Sequence, residues 1–174
     1  MDAITLRADC TRCAALCCVA LAFDRSELFG FDKPAGEPCR HLSGQDRCRI
    51  HAQRDARGFG GCVAYDCLGA GQYVTQELFG GRSWRDDPAL LSPMLEAFAA
   101  VREAHELAAI LRQAADLPLP ARDRRTLRGL ERGLAVAVAA HGDRARMAAM
   151  LEDARRFLTS LRAIVAGRRP PGES

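Results

Sequence analysis

Lysine is almost missing from this 174-residue chain: of its 25 basic residues, Lys33 alone is lysine and arginine supplies the rest. Arginine and alanine together carry the bias of a GC-rich coding sequence. Runs such as Arg155-Arg156 and Arg168-Arg169 therefore read as a solvated face and a tail, not as nucleic-acid contacts. The net charge of +3 demands no polyanionic partner, and no nucleic acid is expected. Long apolar runs are missing as well. The longest near the N-terminus, Ala14 to Phe23, is too short to span a bilayer. Asp2 and Asp9 precede it where a signal peptide carries basic residues, and Leu16 stands before Cys17 where a lipoprotein signal needs a small residue. These absences predict a cytoplasmic protein with no membrane association. Internal repeats and low-complexity segments are also lacking. So are a Ser-His-Asp order, a paired-carboxylate motif and a phosphate-binding loop, for which Gly69-x-Gly71 is too short. Nothing singles out a catalytic residue, and the sequence does not indicate an enzyme.

Cysteine, by contrast, is plentiful and confined. All eight cysteines fall between Cys10 and Cys67. The first cluster is Cys10-Thr-Arg-Cys13-Ala-Ala-Leu-Cys17-Cys18; then come Cys39-Arg-His-Leu, Cys48-Arg-Ile-His51 and Cys62-Val-Ala-Tyr-Asp-Cys67. In a reducing compartment such a density points to metal or redox chemistry before structural disulfides. Adjacent Cys17 and Cys18 also bridge only with strain. On a continuous helix Cys10, Cys13 and Cys17 would fall within roughly 60° of one another, with Cys18 about 80° from Cys10. Thiolates suit zinc or iron, and four of them close a structural zinc site or hold an iron–sulfur cluster. The eight make two such sites, or one site and spares. His51 is a further candidate ligand, and His41 a substitute or outer partner. Three readings stand: a structural or regulatory metal module, an iron–sulfur redox or oxidant-sensing protein, and a metal-free thiol–disulfide switch with Cys17/Cys18 or Cys62/Cys67 exchanging. Inert buried thiols are the bland alternative.

The remainder reads as helix, which predicts a mainly α fold: a small loop-rich cysteine region, 1–86, packed on an antiparallel helical bundle, 87–167, and a disordered tail, 168–174. Glycine-rich loops mark the first region, which lacks a core of its own and calls for a staple. Asp87-Pro88 or Ser92-Pro93 provides an N-cap with proline at the first helical position. Leu91, Met94, Leu95, Phe98, Val101, His105, Ala108 and Leu111 then recur at helical spacing until Leu117-Pro118-Leu119-Pro120. A second helix is expected over 122–140, with Leu127, Leu130, Leu134 and Val138 inward and weakened by Gly129 and Gly133. His141 serves as a C-terminal cap. A third helix follows from Asp143 on the stripe Met147, Met150, Leu151, Ala154, Phe157, Leu158, Leu161, Ile164 and Val165. Trp84 and Tyr73 are expected between the two regions, and His105 as a satisfied core histidine. The bundle is expected to contact a protein partner or a second copy of the chain.

The ladder Cys10-x-x-Cys13-x-x-x-Cys17-Cys18, Cys39-x-x-Leu42, Cys48-x-Ile50-His51 and Cys62 resembles the YkgJ-type zinc- or iron-chelating family. That family carries tyrosine where His51 stands and Arg-Pro where Arg57-Gly58-Phe59 stands. A second likeness covers Leu6 to Arg112. Leu6-Arg7-Ala8-Asp9-Cys10, Phe31-Asp32-Lys33-Pro34-Ala35-Gly36, Tyr65-Asp66-Cys67-Leu68-Gly69-Ala70-Gly71-Gln72 and Phe79-Gly80-Gly81 resemble the N-terminal region of some actinobacterial pentapeptide-repeat proteins. Pentapeptide repeats themselves are missing here. The resemblance implies metal chelation by the cysteines, as zinc or as an iron–sulfur centre.

Overall fold

The computed structural model describes residues 4–140 and 142–166, with side chains described up to residue 162. The tail 168–174, His141, and the side chains of Ile164 and Val165 lie outside the described residues. The chain is mainly α, with helices α1 (Leu16–Ala20), α2 (Gly60–Ala64), α3 (Ala70–Tyr73), α4 (Leu91–Ala114), α5 (Ala121–Ala139) and α6 (Arg144–Ala166). Among the described residues, extended pairing is limited to the isolated bridges Phe23–Lys33, Ser26–Phe29 and Leu42–Cys48. No helix among them is long and apolar enough to cross a membrane.

The described residues gather into two compact units, one of residues 5–105 and the other of residues 106–140 and 142–166 with residue 4. The division falls inside α4. Asp87 caps a 3₁₀ turn, Pro88–Leu90, by accepting from the Ala89 N–H at 3.1 Å, and α4 follows without a break. The first half of α4 supplies buried Met94, Phe98, Val101 and Ala104 to the cysteine-bearing unit, beside Leu16, Val19 and Val74. That region therefore has more core than its own loops provide. Full burial of each such large side chain is worth about 1.5–3 kcal/mol.

In the other unit, α5 and α6 form a helical hairpin. Leu127, Leu134, Ala137 and Val138 of α5 are buried, as are Met147, Leu151, Ala154 and Leu161 of α6. Leu130, expected inward, is half-buried, as are Met150, Phe157 and Leu158. The two glycines of α5 differ in kind. A Cβ on Gly129 would meet nothing, whereas one on Gly133 would lie 2.6 Å from Met150 Sδ. Gly133 thus lets α6 approach closely, and the helix propensity it forfeits is offset by that contact. Arg112, near the end of α4, donates to the Ile4 carbonyl at 2.7 Å and pairs with Glu131 of α5 at 3.5 Å.

Candidate metal centre

The helix expected to align Cys10, Cys13 and Cys17 is broken. Cys10–Arg12 is a single 3₁₀ turn, capped by Asp9, whose carboxylate accepts from the Thr11 N–H at 2.9 Å and its hydroxyl at 2.6 Å. Cys13 is extended and Ala15 is left-handed (φ 55°), so α1 begins only at Leu16. The cause lies in where the backbone polar groups go. The Ala14 N–H donates to Thr75 Oγ1 at 3.0 Å, and its carbonyl accepts from Trp84 Nε1 at 2.9 Å. Buried partners outside the segment thus replace helical bonds. Trp84 accordingly packs on the cysteine loop, while Tyr73 packs edge-on to His105 of α4 with ring centroids 5.9 Å apart.

Three side chains on one face of α3 and the π turn that continues it, Val74–Leu78, grip the segment leading through Cys10 and Cys13. Gln72 donates to the Arg7 carbonyl at 2.9 Å and accepts from the Asp9 N–H. Thr75 accepts from Ala14 and donates to the Gly71 carbonyl at 2.9 Å. Gln76 donates to the Arg12 carbonyl at 2.8 Å. From the opposite loop, Arg47 donates to the Cys10 carbonyl at 2.5 Å and the Thr11 carbonyl at 2.6 Å. Two glycines allow the close approach: a Cβ on Gly69 (φ 81°) would lie 2.6 Å from the Thr5 carbonyl oxygen, and one on Gly71 2.6 Å from Cys13 Sγ. The Gly69-x-Gly71 turn does close this region, as its sequence suggests.

All eight cysteines are free thiols, Cys10 exposed and the others half-buried. Cys10, Cys13, Cys17 and Cys67 line one cavity of about 10 Å³ with Gly71 and Phe98, barely room for one water-sized sphere. Burial pushes the Cys13 thiol up to about 11, with Cys67 and Cys10 adding to the rise and the backbone N–H groups of Leu16 and Ala15, bonded to its sulfur, opposing it. Cys10 is raised by burial and then by Cys67 and Cys18. The segments of the remaining cysteines are tied through their backbones. The Cys39 N–H donates to the Cys18 carbonyl at 3.0 Å, Leu42 pairs with Cys48, and Arg54 ties the carbonyls of His51 and Cys62 together at 3.0 and 2.8 Å. Burial raises Cys62, with further rises from Cys18, Cys39 and Cys48; Cys39 is likewise raised by burial, then by Cys18 and Cys48, against an N–H bond from His41. Between the two groups, the Cys17 thiol bonds to Cys18. That bond and burial raise Cys17 well above the usual thiol range, while the same bond, then the Lys33 and Arg54 charges, lower Cys18.

Lys33 escapes motif reasoning. It is buried, and its ammonium donates to the carbonyls of Val19 (3.0 Å), Leu21 (2.6 Å) and Pro34 (3.0 Å), closing the C-terminal end of α1 beside the thiols. Its one sequence signal is rarity: a lone lysine in an arginine-rich chain. His51, a sequence candidate, has an exposed position, and its backbone N–H closes a turn onto Cys48 at 3.2 Å. His41 packs into an aromatic cluster, 5.1 Å from the Phe59 ring and 5.6 Å from Phe31, and burial lowers its pKa. His105 is fully buried, as its place in the stripe suggests, and its Nδ1–H donates to the Leu68 carbonyl at 2.7 Å.

Among the described residues, no group of three or more Cys, His, Asp or Glu side chains is arranged to hold a metal ion. The thiols are gathered without being drawn to coordination geometry.

A curated relative, an uncharacterized protein YybG of Bacillus subtilis (strain 168), is 40% identical over 131 residues, covering 73% of this chain and 47% of that protein. The chain thus spans about half the length of the relative it matches. No family model matches the sequence, and no solved structure matches it.

Proposed function

We propose that residues 5–105 form a cysteine-ligated metal module, with zinc as the ion that suits them best. The observation carrying this reading is the meeting of Cys10, Cys13 and Cys17, from one bent segment, with Cys67 of a distant loop around one small cavity. Four thiols supply a soft, complete donor set. The N–H bonds to the Cys13 and Cys39 sulfurs favour thiolate over thiol, and Gly71 leaves the Cys13 sulfur the space it occupies. The cavity size favours a single ion over an iron–sulfur cluster, which brings several iron and sulfide atoms. A bound zinc ion would cross-link distant loops and contribute its binding free energy to folding. The likeness of the cysteine ladder to the YkgJ-type family points the same way.

An iron–sulfur centre with a redox role is the second reading. It draws on the Lys33 and Arg54 charges beside Cys18, since nearby charge and hydrogen bonds to sulfur tune cluster potentials. Purification without oxygen, followed by metal and sulfide analysis and a visible spectrum, separates the readings. Colourless protein containing zinc is expected. Brown protein with iron and sulfide would replace zinc by a cluster. Metal-free protein whose thiols interconvert with disulfides would overturn the metal module in favour of a thiol switch.

A further inference from the structure

Resting on that reading, we propose that the eight cysteines form two separate four-thiolate centres joined at the Cys17–Cys18 peptide bond. One is held by Cys10, Cys13, Cys17 and Cys67, the other by Cys18, Cys39, Cys48 and Cys62. The first set is defined by the cavity its four side chains line. The second is linked through its segments by backbone ties: the Cys39 N–H to the Cys18 carbonyl at 3.0 Å, the Leu42 N–H to the Cys39 carbonyl at 2.8 Å, the Leu42–Cys48 bridge, and Arg54 between the His51 and Cys62 carbonyls. The two sets touch where they adjoin, the Cys17 thiol being hydrogen-bonded to that of Cys18.

Helix α1 explains how neighbours in sequence serve different centres. Successive side chains on a helix diverge by about 100°, and α1 is fixed in rotation by fully buried Leu16 and Val19. Cys17 lines the cavity with Cys13 and Cys67, while the Cys18 carbonyl accepts from the Cys39 N–H at 3.0 Å. Lys33, bonded to the Val19 and Leu21 carbonyls, holds the far end of the same helix. The Arg54 guanidinium acts on thiols of both sets, Cys10 as well as Cys18 and Cys62, and the Lys33 ammonium acts on Cys18.

The test uses the full-length, reduced, metal-free chain titrated with zinc(II). Native mass spectrometry separates the species with one and two ions, and maleimide labelling then identifies the protected cysteines in each. Two ions per chain are expected at saturation. In the one-ion species, protection should fall on four cysteines of a single set. One-ion protein protecting a mixture such as Cys10 with Cys39, or saturation at one ion, would overturn the two-centre assignment while leaving metal binding intact. No bound zinc at all would overturn both. Paired variants give a second readout with cobalt(II), whose sulfur-to-metal absorption reports tetrathiolate sites. Cys10→Ser with Cys67→Ser should halve that absorption, and Cys10→Ser with Cys39→Ser should abolish it. Equal losses from the two pairs would overturn the assignment.

Discussion

The two units of this chain are held by different physics. In α5 and α6 the order comes from apolar side chains at helical spacing, and polar groups other than the backbone ladder contribute little. In residues 5–105 the cysteine segments are fixed by side chains reaching distant backbone: Gln72, Thr75, Gln76, Arg47, Trp84 and Lys33 each bond to main-chain atoms far from their own position. Such bonds specify where a loop lies, but each is worth only about 0.5–1.5 kcal/mol net. A loop framework built on them gains most from a cross-link, and the thiols are where a cross-link would form. The comparison teaches that the helical hairpin is stabilised by what it buries, and the cysteine unit by what it ties together.

Perturbations of each unit sharpen this contrast. The largest effect is expected from Leu134→Ala, which empties a fully buried site in α5 and should cost about 2–5 kcal/mol. Denaturant unfolding should register that loss, while zinc stoichiometry stays as in the parent. A fall in zinc content would break the separation drawn here. Lys33→Met should cost about 1–3 kcal/mol by leaving three carbonyls without their donor, and it should weaken zinc retention against a competing chelator. Unchanged retention would show that Lys33 serves the fold of α1 alone. Gly71→Ala forces a methyl group against Cys13 Sγ. About 1–3 kcal/mol of overpacking is expected, together with an altered cobalt(II) spectrum. Smallest and opposite in sign is Gly129→Ala, where a methyl group meets nothing. Thermal unfolding should show α5 stabilised by about 0.5–1 kcal/mol.

The sequence carried the helices well, because their information is local. Asp87-Pro88 marks the cap that forms, the prolines at 118 and 120 follow the end of α4, and the stripes of α5 and α6 name most of the residues that are buried there, with Leu130, Met150, Phe157 and Leu158 only half-buried. It carried the cysteine unit poorly, for a physical reason. The turn at Cys13–Ala15 depends on Thr75 and Trp84, some sixty to seventy positions away, and no periodicity within 10–18 reveals them. A regular helix drawn through Cys10, Cys13 and Cys17 brings them together by the wrong route; the structure gathers the same three around a cavity through a bend. Gly133 looked like a flaw in α5 and is a contact with Met150. Lys33 and the polar face of Gln72, Thr75 and Gln76 carried no metal-site motif, since their partners are main-chain carbonyls and amides.

Residues 5–105 are proposed to be cross-linked by thiol-bound metal, and amide hydrogen exchange on the reduced full chain, with bound zinc and again after its removal by a chelator, is the direct test. Protection should collapse in the segments around Cys10–Cys18 and Cys39–Cys67 and persist in 121–139 and 144–162. Equal protection in both states, or loss spread evenly over the two units, would contradict it.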